Sequence, residues 1–152
     1  MGYLDERLLL SNAQAFTSTG ATANYSTSVV ENPIGKDVWG TAKNQDPGEG
    51  GGLFLHVAVA TAFTSISGLT SALTITLQDS PSTTTGSFSS LLTLATTVKV
   101  ATLVLGKDYV VGLPANCNNY LRMQYHVATQ VFSAGALDAW ISVDPTVIKA
   151  KY

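Results

Sequence analysis

Tyr120-Leu121-Arg122-Met123-Gln124-Tyr125-His126-Val127 alternates without a break. Leu121, Met123, Tyr125 and Val127 fall on one side, and Val131 continues the phase. Tyr120, Arg122, Gln124, His126 and Gln130 fall on the other. A period of two sends successive side chains to opposite faces, so this stretch reads as a strand with one face on a core and the other toward water.

The same period recurs on both sides of it. Leu73, Ile75 and Leu77 alternate with Thr74, Thr76 and Gln78, a half-buried strand with a hydroxylated outer face. Leu137, Ala139, Ile141 and Val143 alternate with Asp138, Trp140, Ser142 and Asp144. Residues 53–60 are largely apolar on both faces, which predicts a central, doubly covered strand. Shorter candidates lie at 25–31, 88–95, 98–104 and 109–113. Turn chemistry separates them: Asp79-Ser80-Pro81, Gly106-Lys107-Asp108, Leu113-Pro114-Ala115-Asn116 and Ser133-Ala134-Gly135. Helical periodicity is nearly absent, with at most a turn over 4–10. Roughly eight strands without helices predict an all-β sandwich, jelly roll or barrel.

Composition points the same way. Charged residues are 12% of the chain, about half the usual share, while Ser and Thr number 33 of 152. Hydroxyls do the solvating, and the branched Thr side chain fits a pleated surface. With a net charge of −2 and no basic stripe, the chain is not expected to bind nucleic acid. The single cysteine, Cys117, permits no intrachain disulfide. No apolar run approaches the ~20 residues of a membrane helix, and Leu8-Leu9-Leu10 is far short of a secretory segment. The expectation is a soluble protein with no membrane partner, made in the cytoplasm.

Two regions do not read as sandwich strands. Residues 1–20 are read as an N-terminal arm ahead of a domain spanning 21–152. Residues 32–52, with Asn32-Pro33, Asp46-Pro47 and four glycines between 48 and 52, read as one long loop. That loop carries Trp39, a costly residue to leave in water.

Catalytic signatures are missing. His56 and His126 have no Cys, Asp or Glu at ligand spacing and read as structural or surface residues. No Gly-x-Ser-x-Gly elbow occurs, since Gly86-Ser87-Phe88 lacks the second glycine. The 48–52 glycines lead into a strand and not into a phosphate-binding helix. No cofactor, no metal and no enzymatic turnover are expected. Asn24-Tyr25-Ser26 and the Asp5-Glu6 pair carry no site by themselves.

Taken in order, Leu10-Ser11-Asn12-Ala13-Gln14-Ala15, Ala62-Phe63-Thr64-Ser65, Leu73-Thr74-Ile75-Thr76-Leu77-Gln78, Tyr120-Leu121-Arg122-Met123-Gln124-Tyr125 and Phe132-Ser133-Ala134-Gly135-Ala136 resemble the capsid cement (decoration) proteins of tailed phages, the jelly-roll type. The resemblance spans most of the chain and departs at 36–52, where the glycine-rich loop is longer. It implies a non-enzymatic virion protein on the outer surface of the capsid. Such a protein would bridge major capsid protein subunits and pair with itself as a homodimer. The alternative is a carbohydrate-binding sandwich module, with Trp39, Asn44, Gln45 and Asp46 as its sugar site.

The residues expected to touch partners follow from these features. Tyr3, Leu4, Leu8, Leu10, Gln14 and Phe16 would form a contacting arm. Trp39 and its loop would give a second contact. Arg122, Gln124 and Trp140 would lie on a dimer or capsomer face, because a polar strand face poor in charge is inexpensive to desolvate. By parity Trp140 points to the polar side of its strand, which leaves interface anchor and core filler both open.

Overall fold

The computed structural model describes residues 8–16, 22–31, 34–36, 42–44, 52–65, 72–114, 117–128, 132–143 and 145–146. The strands are β1 (Leu9–Ala15), β2 (Thr22–Tyr25), β3 (Val30–Glu31), β4 (Ile34–Lys36), β5 (Ala42–Asn44), β6 (Phe54–Ser65), β7 (Ala72–Ser80), β8 (Ser89–Lys99), β9 (Asp108–Gly112), β10 (Tyr120–Ala128) and β11 (Phe132–Ser142). Two antiparallel sheets pack face to face as a β-sandwich. One has the order β1-β11-β6-β9; the other has β2-β10-β7-β8, with β3 also paired to β10.

The alternating segments became the strands they predict. β7 and β10, 9 residues each, pair along their whole length without a register shift, from Tyr120 opposite Ser80 to Ala128 opposite Ala72. Their odd-numbered residues Leu73, Ile75, Leu77, Leu121, Met123, Tyr125 and Val127 are fully or almost fully buried. From the other sheet they meet Leu55, Val57 and Val59 of β6 and Leu137, Ala139 and Ile141 of β11. Burying one such side chain contributes about 1.5–3 kcal/mol, so the shared interior of the two sheets is the main stabilising term.

Aromatic rings close one end of the core. Phe16 meets Tyr125 edge-on at 5.0 Å, and Phe63 meets Phe132 edge-on at 4.9 Å. Gly135 sits against this cluster with φ +152°, and a Cβ there would collide with the Phe63 ring. Its carbonyl accepts the Phe16 backbone N–H at 2.9 Å, which ties the end of β1 to β11.

Four expectations need correction. The expected strand 25–31 is split, with β2 ending at Tyr25, β3 covering Val30–Glu31 and no strand between them. Residues 9–15 of the expected arm are β1, a strand paired to β11. Its alternation is concealed by register shifts between Leu9 and Ser11 and between Ser11 and Gln14, and by Ala13 at φ +45°. The loop 32–52 is not structureless throughout, because β4 and β5 pair within it. Three residues per strand are too few to display a period. The expected strand 98–104 also ends early: β8 runs to Lys99, and a 3-10 turn follows over 100–102.

Candidate functional site

β10 and β11 are neighbours in sequence but belong to different sheets. Arg122 and Gln124 therefore lie on the outer face of the five-stranded sheet. Trp140 lies on the outer face of the four-stranded sheet, opposite His56. The single face expected from Arg122, Gln124 and Trp140 is thus split across the two sides of the sandwich. Strand parity is visible in sequence; which sheet a strand joins is not.

Trp140 is not an exposed anchor. Its exposure is 0%, and its ring stacks on His56 at 4.9 Å and 7°. Its Nε1 is buried without a hydrogen-bond partner among the described residues. His56 Nδ1 lies 3.2 Å from the Asp108 carboxylate of β9, a contact between residues 52 apart in the chain that local spacing could not reveal. Asp138, on the same face, accepts the Ala13 backbone N–H and so supports the irregular turn of β1.

Among the residues expected to form a contacting arm, Tyr3 and Leu4 lie outside the described residues, and so does Trp39 with the rest of 37–41. Leu8 is half-buried and packs on the core. Leu10 and Phe16 are themselves core residues, which corrects their placement on a partner-facing surface: β1 needs an apolar face to close the sandwich. Gln14 joins the two sheets, accepting from Ser11 Oγ at 2.9 Å and donating to the Tyr25 carbonyl of β2 at 2.6 Å. In the alternative sugar site, Trp39, Gln45 and Asp46 also lie outside the described residues.

The outer face of the five-stranded sheet holds the most specific arrangement. Arg122 rises from β10 with its guanidinium carbon 3.9 Å from the Tyr25 ring centroid and 4.0 Å from that of Phe88. Arg122 Nε donates to Gln78 Oε1 at 2.9 Å, and Nη2 donates to the Thr85 carbonyl at 3.3 Å. Gln78 Nε2 in turn donates to Gln124 Oε1 at 3.2 Å. Cross-strand neighbours on β7 and β10 thus form one polar chain. Only 6% of Arg122 is exposed. Burial lowers its pKa, and Tyr25 partly offsets this.

The turn that supplies the Thr85 carbonyl is fixed by hydroxyls. Ser80 Oγ donates to the Ser82 carbonyl at 2.6 Å, and Ser87 Oγ donates to the Thr84 carbonyl at 2.6 Å. This explains the dense run of Ser and Thr between 80 and 87. Sequence reasoning missed Tyr25 and Phe88, the two rings on the guanidinium. Tyr25 sits in a strand of 4 residues, and Phe88 lies just before β8. No local signal links them, because Arg122 lies far from both in sequence.

Cys117 is buried, with its thiol 3.0 Å from the Pro114 carbonyl. Among the described residues no group of three His, Cys, Asp or Glu side chains is placed to hold a metal ion. No described helix is long and apolar enough to cross a membrane.

Residues 10–141, from β1 to β11, match the Bbp16 family model. The chain belongs to the Bbp16 family. Bbp16 is a phage-associated family, and the matched span contains both sheets of the sandwich. No curated protein sequence matches the chain significantly.

Proposed function

We propose that this Bbp16-family chain is a structural virion protein that decorates the outside of an icosahedral phage capsid. In this reading it cements the shell by bridging neighbouring major capsid protein subunits, works as a homodimer, and catalyses nothing. The observation that carries the reading is membership of a phage-associated family across residues 10–141.

The physical character of the molecule supports it. Two sheets locked by a continuous core lose little conformational freedom on docking, so more of the contact energy remains as affinity. The outer face of the five-stranded sheet is built from Thr74, Thr76, Gln78, Gln124 and His126 around the single cation Arg122, and a face this poor in charge sheds its water at low cost. Val104 and Leu105 stand adjacent and more than half exposed after the 3-10 turn, offering an apolar contact at the edge of the body. Many copies on one shell would turn a modest single-site affinity into strong reinforcement.

The test is reconstitution. Heads of the parent phage stripped of the chain are mixed with purified protein, then heated while DNA release is followed. The reading expects saturable binding and a higher release temperature. Intact heads that bind no added protein, or bind it without added resistance, contradict the reading.

A further inference from the structure

Arg122 is an almost fully buried cation with only neutral partners. Two rings cover its guanidinium, a glutamine amide takes Nε, and a backbone carbonyl takes Nη2. Among the described residues Nη1 makes no short, well-aligned hydrogen bond, and the nearby Tyr25 hydroxyl favours the charged form. The described contact between a carboxylate and a basic side chain, Asp108 with His56, lies on the other sheet and does not involve Arg122. Glu31 lies one row away on the same face, opposite Tyr120, exposed and not bonded to Arg122.

This arrangement is unusual for a residue that serves only packing. A guanidinium removed from water without a counter-charge is a net cost, and an aliphatic side chain would fill the same space without it. The rings and the Gln78–Gln124 chain fix the orientation of the group in advance. A planar fork held in this way suits a carboxylate, which accepts hydrogen bonds in the guanidinium plane.

Resting on the decoration reading above, we propose that Arg122 is the docking point for one Asp or Glu side chain of the shell protein, which accepts hydrogen bonds from Nη1 between the Tyr25 and Phe88 rings. Charge complementarity identifies the partner group: the site offers one largely buried positive charge, and no described carboxylate is bonded to it. Tyr25 and Phe88 shield the pair from solvent, so the contact is specific as well as attractive.

The experiment uses the full chain and stripped heads of the parent phage, with cosedimentation to measure affinity. Arg122→Met removes the charge and keeps apolar bulk between the rings. Arg122→Lys places an amine there, and a carbodiimide then couples it to any carboxylate in direct contact, located by mass spectrometry. Glu31→Gln is the control. Circular dichroism verifies that each variant keeps the wild-type β spectrum, and Arg122→Lys carries the test if Arg122→Met does not fold. The expected results are binding weakened about 10- to 100-fold by Arg122→Met, a crosslink from position 122 to an Asp or Glu of the shell protein, and no change with Glu31→Gln. Wild-type affinity in Arg122→Met with no crosslink in Arg122→Lys overturns the Arg122 contact and leaves the decoration reading standing. A crosslink to Glu31 of another copy, with Glu31→Gln equally weakened, overturns the assignment to the shell and makes a second copy the occupant. Heads that do not bind even the wild-type chain overturn the decoration reading itself.

Discussion

Gly135→Ala puts a single methyl group where the structure has no room for it. The backbone at Gly135 has φ +152°, a conformation that side-chain-bearing residues rarely adopt, and the new Cβ would overlap the Phe63 ring. That ring cannot retreat freely, since Phe132 meets it edge-on at 4.9 Å and Phe16 lies at 5.8 Å. Backbone strain of this kind costs about 1–3 kcal/mol, and overpacking a filled core costs roughly another 1–3 kcal/mol. The combined loss is about 2–6 kcal/mol, which for a domain of this size lowers Tm by roughly 5–20 °C. Thermal unfolding followed by circular dichroism measures it. A double-mutant cycle with Phe63→Leu separates the two causes: shrinking the ring relieves the overlap and leaves the backbone strain, so the double variant loses less than the sum of the singles. A Tm within 2 °C of wild type for Gly135→Ala, or strict additivity with Phe63→Leu, refutes the reasoning.

Other perturbations reach separate parts of the structure. Trp140→Ala empties a fully buried site stacked on His56 and is expected to cost about 3–5 kcal/mol in denaturant unfolding; an exposed interface tryptophan would cost almost nothing. Tyr125 is completely buried against Ser11, and desolvation pushes its phenol pKa far above the ordinary value. Its contribution is therefore fully present below the unfolded tyrosine pKa of about 10 and is lost as pH rises beyond it. Spectrophotometric titration is expected to show one tyrosine ionising only as the fold is lost, with Tyr125→Phe removing that component. Ser80→Ala with Ser87→Ala removes the hydroxyls that hold the 82–87 turn, and amide exchange in that turn is expected to accelerate while the β7–β10 pairing keeps its protection.

The parts of the fold that were legible are those where local pattern and global pairing agree. β10 alternates throughout and β7 from Leu73 to Gln78, and the two pair without a slip, so apolar parity alone named their apolar core residues correctly. β1 was hidden because its bulges and the positive φ of Ala13 break the parity that a sequence reader follows. The β4–β5 pair was too short to have a period at all. For the candidate site, Arg122 and Gln124 were identifiable as polar residues on a strand face, and they do share a hydrogen-bonded chain through Gln78. Their separation from Trp140 was not, because β11 joins the other sheet, and local pattern does not encode that destination. The burial of Arg122 between Tyr25 and Phe88 joins residues far apart in sequence, and only the folded sandwich brings them together.

Electron cryomicroscopy of parent phage heads, compared with heads lacking this chain, tests the cementing claim most directly. The account expects sandwich-shaped density on the outer surface, in contact with two neighbouring major capsid protein subunits, and lost when the chain is absent. Identical outer surfaces in the two maps, or density confined to the tail or the shell interior, would contradict it.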